Sequence, residues 1–154
     1  MHKTDIRETT KQDLVALGSI VAETELFPPE ILDGLVAPAL AGSAHSVWLT
    51  AHTNGQVCGF CFAETEAMAD RVWNMRALAV APLLQGRGIG AALVAALEAL
   101  LRKREQRLLL VDTSGTADFA KTRAFYHQNA YAREACIRNY WAEGDDKVTF
   151  SKLL

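Results

Sequence analysis

The chain reads as a mixed α/β fold, a central sheet of about seven strands accompanied by about four helices. Three observations carry that reading. Asn54-Gly55 stands between two β-rich runs, the strongest short-range signal for a hairpin. A β-rich run, a glycine loop, a helical run with an apolar stripe and a continuous apolar run follow one another through the middle of the chain, the order of a parallel crossover. Two helical segments precede this unit, and a helical segment with two alternating strands follows it.

In order, residues 5–9 ("DIRET") read as a short strand, and Thr10 suits the N-cap of a helix over 11–23 with Leu14, Leu17, Ile20 and Val21 on one face. "LFPPE" breaks it. A second helix starts near Pro29, a residue favoured in a first turn, runs through Ile31, Leu32, Leu35 and Val36, and loses regularity at Pro38. Residues 46–65 supply the hairpin, and 71–80 ("RVWNMRALAV") add a third strand to an antiparallel meander that Pro82 closes. Residues 88–104 are helical: Ile89, Leu93, Leu97, Leu100 and Leu101 form the stripe, and Arg102, Lys103 and Arg104 gather at the C-terminal end, where cations are favoured. "RLLLVDT" is apolar throughout, as expected of a strand buried on both faces and paired in parallel. A helix over 117–128 and two strands joined at "AEGDD" complete the order β-α-α-β-β-β-α-β-α-β-β.

The bulk properties narrow the class. The length of 154 residues suits one domain over 1–154, and 50% hydrophobic with 22% charged residues is an ordinary globular balance. A net charge of -2 gives no electrostatic reason to expect nucleic acid. The polar N-terminus is no secretory signal, and the run "IGAALVAALEALL" is too short to span a bilayer, so no membrane partner is expected. The three cysteines, Cys58, Cys61 and Cys136, point to a reducing, cytoplasmic setting. Cys58 and Cys61 form C-x-x-C inside a strand; residues three apart on a strand face opposite ways, so they are expected to pack and to hold no metal.

The glycine loop "QGRGIG", Gln85, Gly86, Arg87, Gly88, Ile89 and Gly90, separates a strand from a helix. The first turn of a helix leaves backbone N–H groups without internal partners, and the helix dipole adds partial positive charge there. Glycines let an anion reach those groups, Ala91 and Ala92 keep the turn slim, and Arg87 adds a formal positive charge. A phosphate is the natural occupant. A P-loop would need Lys and then Ser or Thr, yet Gly90 is followed by Ala91. A dinucleotide fingerprint needs G-x-G-x-x-G; this loop gives G-x-G-x-G, although Asp112 lies near the end of the next strand, where that fingerprint places its acidic residue.

The loop also resembles the Q/R-x-x-G-x-G/A signature of the GNAT superfamily of acyl-CoA-dependent N-acetyltransferases. "LAVAP" before it looks like that family's cofactor strand, "RAFYHQNAY" resembles its "FYxxxGF" ending, and the element order matches along nearly the whole chain. The resemblance implies a GNAT-like fold in which "MRALAV" and "RLLLVDT" are parallel strands splayed apart. It implies acetyl-CoA as cosubstrate, without metal: its pyrophosphate on the backbone from Gln85 to Ala91, its pantetheine arm along Leu78, Ala79 and Val80. Acetyl would pass directly to a primary amine of a small molecule or amino acid. The alternatives are a protein N-terminal or lysine acetyltransferase, or a non-catalytic acyl-CoA sensor. Val80 N–H would stabilise the charge developing on the carbonyl oxygen, and Tyr126 occupies the place of the family's general acid. A homodimer is a further expectation of family membership.

No carboxylate stands on the cofactor strand, which carries Asn74 and Arg76; Glu64, Glu66, Asp70, His45 and Asp112 all remain open as general base. Two positions depart from the family pattern. Phe119 replaces an Asn that contacts the cofactor, leaving that contact absent or taken by Thr122 or Arg123. Ala130 replaces the glycine of "FYxxxGF", and Asn129 is expected to take up the left-handed helix-ending conformation instead. In the family the loop between the first two helices and the final hairpin form the acceptor pocket; here these offer Phe27, Pro28, Tyr140, Trp141, Asp145 and Asp146. Carboxylates beside aromatics suit a cationic amine.

Overall fold

A computed structural model describes residues 3–154. Seven strands, β1 (Thr4–Glu8), β2 (Ser46–Thr53), β3 (Gln56–Thr65), β4 (Val72–Val80), β5 (Leu108–Ser114), β6 (Ala132–Ala142) and β7 (Asp145–Leu153), form one sheet in the order β1-β2-β3-β4-β5-β7-β6. Every neighbouring pair is antiparallel except β4 with β5. Helices α1 (Leu14–Thr24) and α2 (Leu32–Leu40) lie against one face. Their Leu17, Ile20, Val21, Leu32 and Val36 meet Trp48, Phe60, Phe62, Ala77 and Ala79. Helix α3 (Ile89–Lys103) and helix α4 (Ala120–Gln128) join the other core. There Leu93, Val94, Leu97 and Leu101 pack with Val47, Leu49, Met75, Leu109 and Val111. Trp48 stacks on Phe60 and Phe62 at 5.4 and 4.5 Å, which fixes the first core on the meander.

Local chemistry accounts for the element ends. Thr10 stands at the N-cap of a 3₁₀ turn that leads into α1, and its N–H donates to Asp13 Oδ2 at 2.8 Å. Asn54 and Gly55, with φ of 54° and 75°, make the two-residue turn that the right-handed twist of a hairpin requires. Helix α2 does not stop at Pro38 but continues to Leu40, and Ala41 N–H bonds Ala37 O at 3.0 Å. Proline there removes only the bond to Gly34, and the remaining bonds of the last turn hold.

The alternation argument fails at the cysteines. Ala51 opposes Gly59 while His52 opposes Val57, so Cys58 is an extra residue bulged out of the β3 ladder. The bulge re-aims Cys58, and both Cys58 and Cys61 enter the core beneath α3 rather than opposite faces. Both are free thiols: Cys58 Sγ donates to Ala51 O at 3.3 Å, and burial pushes the Cys61 thiol up to about 12 despite its hydrogen bond with the Leu49 backbone.

A second irregularity creates the central opening. Phe62 opposes Ala77 and Ala63 opposes Met75, leaving Arg76 unmatched in β4. Parallel pairing runs from Val72 with Leu108 to Met75 with Val111 and ends there, although β4 continues to Val80 and β5 to Ser114. A bulge bends its strand, and this one sits where β4 leaves β5. Consequently β5 is not buried on both faces. Leu109, Val111 and Thr113 are buried, whereas Leu108, Leu110 and Asp112 are half-buried, because α1 and α2 cover the meander and not β5.

Candidate active site

The opening between the diverging ends of β4 and β5 holds two adjoining cavities. One, about 590 Å³, is bounded by the glycine loop, the start of α3 and one side of α4. The other, about 500 Å³, lies between the strand ends and reaches the β6–β7 hairpin. Leu78, Val80, Gln85, Thr122 and Tyr126 line both, so the cavities form one passage with Tyr126 at its middle.

The glycine loop is built from its sequence. Pro82 opens a 3₁₀ turn that ends β4, and Gly86 and Gly88 then take φ of 77° and 82°, a region that strains any residue with a Cβ. Gly88 is the N-cap of α3, and the first intrahelical bond runs from Ala92 N–H to Gly88 O at 3.0 Å. The N–H groups of Gly88, Ile89, Gly90 and Ala91 have no acceptor among the described residues and border the first cavity. Gly86 lines it too. Ile89 is buried beneath the loop and anchors it in the core. Arg87 is exposed and lines neither cavity, so its charge acts from outside the passage. Gln85 also does more than lead into the loop: its side-chain amide donates to Val80 O at 3.1 Å and ties the loop to the strand end.

The backbone of β4 follows from two hydrogen bonds. Ala81 N–H donates to Cys58 O at 2.8 Å on the β3 side, while Val80 O is taken by Gln85. In a strand the N–H and C=O of one residue point the same way and successive residues alternate. Leu78 and Val80 therefore turn their peptide groups toward the opening, and Ala79 turns its own toward β3. Gly59 lies opposite Val80, and a Cβ there would stand 2.8 Å from Ala79 O. The glycine lets β3 and the end of β4 approach closely; nothing in the residue pattern of β3 marked it beforehand.

Tyr126 is buried, its ring edge-on to Phe125 at 5.2 Å and to Tyr131 at 5.8 Å. Its hydroxyl makes no hydrogen bond among the described residues. Burial, and secondarily the nearby Cys61 sulfur, push the phenol above its usual range, so it holds its proton firmly. The turn after α4 is set by Ala130, which itself adopts φ 68°, whereas Asn129 keeps φ -92°. The expected transfer of the left-handed conformation to Asn129 does not occur. Asn129 Nδ2 instead donates to Phe125 O at 2.7 Å, and Tyr131 N–H closes the turn on Tyr126 O at 3.0 Å. Tyr131 Oη then donates to the buried Glu98 of α3 at 2.8 Å, and Lys152 Nζ meets the same carboxylate at 2.9 Å. This buried cluster joins the helix of the glycine loop to the helix of Tyr126.

Of the open carboxylates, Asp112 alone lines the passage. Its Oδ2 accepts from Asn74 Nδ2 at 3.1 Å and its Oδ1 from Thr149 Oγ1 at 2.6 Å. Glu64 and Glu66 pair with Arg76 at 3.2 and 3.1 Å, Asp70 is exposed beside Arg71, and His45 lines a separate cavity with Arg71 and Arg104. Asn74 and Arg76 thus gather carboxylates from neighbouring strands, a cluster invisible along the sequence. Thr122 lines the passage at the departure marked by Phe119, while Arg123 is held away by Ser114 O and Thr116 O at 2.8 and 2.7 Å. Of the expected acceptor residues, Trp141 and Asp145 border the second cavity; Phe27, Pro28, Tyr140 and Asp146 do not. Thr24, the last residue of α1, and Leu26, from the segment between the first two helices, join them, as do Arg76 and Ser114, which no acceptor signal in the sequence marked. Among the described residues no group of three or more His, Cys, Asp and Glu suited to a metal exists, and no helix is long and apolar enough to cross a membrane.

A splayed parallel pair with a glycine loop leading into a helix is the architecture of the GNAT fold. The family model described as "Acetyltransferase (GNAT) domain" matches residues 44–133, more than half of the chain, and the chain belongs to that family of acetyltransferases. A GNAT-family protein from Desulfovibrio desulfuricans superposes with a TM-score of 0.90 at 25% identity, covering 98% of this chain and 99% of that one. The ribosomal-protein-alanine N-acetyltransferase from Brucella melitensis gives 0.79 at 21% identity, covering 97% and 99%. PaiA N-acetyltransferase from Thermoplasma acidophilum, solved in complex with coenzyme A, gives 0.78 at 15% identity, covering 99% of each chain. No curated protein sequence matches the chain.

Proposed function

We propose that this acetyltransferase moves acetyl from acetyl-CoA directly to the primary amine of a small molecule, with the pyrophosphate on the glycine loop and the amine in the second cavity. The observation that carries the reading is the row of unpartnered N–H groups at Gly88, Ile89, Gly90 and Ala91 beside an open cavity. Fixed donors at a helix N-terminus suit a diphosphate, and the passage runs from them past Leu78, Ala79 and Val80 to Tyr126.

Acetyl-CoA supplies an acyl thioester: a carbon–nitrogen bond forms, the carbon–sulfur bond breaks, and the amine loses a proton. The chain positions and balances that exchange. Leu78 and Val80 present peptide N–H groups to the opening, and Val80 N–H, at the strand end, stabilises negative charge developing on an acyl oxygen. Tyr126, a phenol that is protonated at neutral pH and lines both cavities, donates a proton to the departing sulfur. Asp112, on β5 in the passage, draws a proton from the amine, directly or through water. A cytoplasmic setting belongs to the same reading, since Cys136 is an exposed free thiol.

Calorimetric titration with acetyl-CoA, with NAD as control, tests the cradle; thiol release in the presence of amines tests transfer. Micromolar binding of acetyl-CoA alone is expected. Absence of acetyl-CoA binding by folded protein removes the proposal. Binding without transfer to any amine or peptide makes the chain an acyl-CoA sensor, and transfer to peptides alone makes it a protein acetyltransferase.

A further inference from the structure

The second cavity differs in character from the first. Leu26, Phe119 and Trp141 are large apolar residues with exposures of 37%, 43% and 49%, and all three line the second cavity and none the first. They come from three separate places in the chain: the residues after α1, the turn before α4 and the end of β6. Apolar groups left in water by independent segments and converging on one opening mark a surface that buries them against a ligand.

The charges in that cavity are equally one-sided. Among the described residues Asp112 accepts hydrogen bonds from Asn74 and Thr149, and Asp145 accepts from Ser114. Neither carboxylate forms an ion pair among the described residues, so both negative charges face the cavity uncompensated. The cation that lines it, Arg76, is already held by Glu64 and Glu66 at 3.2 and 3.1 Å. Such a site attracts a cationic amine and repels a carboxylate beside it.

Resting on the acetyltransferase reading, we infer that the acceptor is a small amine with an apolar, preferably aromatic, body and no carboxylate next to the amine. The body packs between Leu26, Phe119 and Trp141, while Asp112 and Asp145 draw the ammonium form toward the passage before it gives up its proton. An amino acid of the same size brings its α-carboxylate against those two aspartates.

The test compares initial rates of thiol release from acetyl-CoA with 2-phenylethylamine, ethanolamine and phenylalanine, on the wild-type chain and on W141A and L26S. The expected kcat/KM for 2-phenylethylamine is at least tenfold above that for ethanolamine and at least tenfold above that for phenylalanine. Each variant should raise KM for 2-phenylethylamine severalfold more than KM for ethanolamine, and L26S repeats the test should W141A disturb the hairpin. A second variant set probes charge: D145N should narrow the gap between 2-phenylethylamine and phenylalanine. Equal use of 2-phenylethylamine and ethanolamine, or loss of both in proportion in the variants, overturns this inference while leaving the acetyltransferase reading intact. Transfer to peptides alone also overturns it. Binding of acetyl-CoA with no transfer to any acceptor overturns both.

Discussion

Gly59→Ala tests the link between the core and the end of β4 that borders the opening. The added Cβ would stand 2.8 Å from Ala79 O, 3.3 Å from Leu93 Cδ1 and 3.4 Å from Val80 Cα. A relaxed carbon–oxygen contact of this kind lies near ~3.3–3.6 Å, so β4 must yield by about half an ångström. Two of the three atoms are backbone, which cannot turn aside as the end of a side chain can. Overpacking of this sort costs about 1–3 kcal/mol. The same displacement moves Val80, whose N–H faces the opening. Misplacement by an ångström costs roughly a hundredfold in rate, so half that distance predicts about a tenfold fall in kcat/KM. Urea unfolding measures the first quantity and thiol release the second. A variant as stable and as active as the wild type would refute the close-approach argument. Lower stability with unchanged kinetics would refute the coupling to Val80.

Tyr126→Phe should lower kcat by about a hundredfold, the lower range of general-acid contributions, while leaving stability within about 0.5 kcal/mol, because the hydroxyl makes no hydrogen bond among the described residues. Since the phenol is pushed up by burial, the wild-type rate should show no alkaline loss below the ordinary phenol pKa of about 10. Ala130→Gly should stabilise the fold by about 1 kcal/mol, since Ala130 sits at φ 68°, where a Cβ is strained; thermal unfolding checks it. Burial works to raise the Asp13 carboxyl, but the Arg7 guanidinium at 2.8 and 2.9 Å, the Thr10 N–H and His52 outweigh it and hold the group at about 2. A depressed folded-state pKa gives stability that is present above the unfolded value near 4 and is lost as pH falls toward 2. A shift of this size corresponds to about 2 kcal/mol. Acid unfolding followed by circular dichroism should show that loss in the wild type and a flatter limb in Asp13→Asn.

The order of elements, the hairpin at Asn54-Gly55 and the glycine loop were legible in the sequence because each rests on local chemistry. Turn residues need particular φ values, periodicity follows from the geometry of one helix or strand, and unpartnered N–H groups arise at any helix start. What the sequence could not state depends on register between strands. A single unmatched residue at Cys58 brings two cysteines into one core, and another at Arg76 parts β4 from β5. Ala130 kept the left-handed turn because bonds from Asn129 and Tyr131 outweigh the strain of its Cβ. The lining of the second cavity was legible least of all. Trp141 and Asp145 were singled out in the sequence, but Arg76 and Ser114 became their neighbours only when segments far apart in the chain converged. The sequence by itself determined the family and the glycine loop at the start of α3, since both are written in contiguous residues. Tertiary structure decided the opening of the sheet and the lining of the second cavity, since both are set by contacts between residues that no local rule connects.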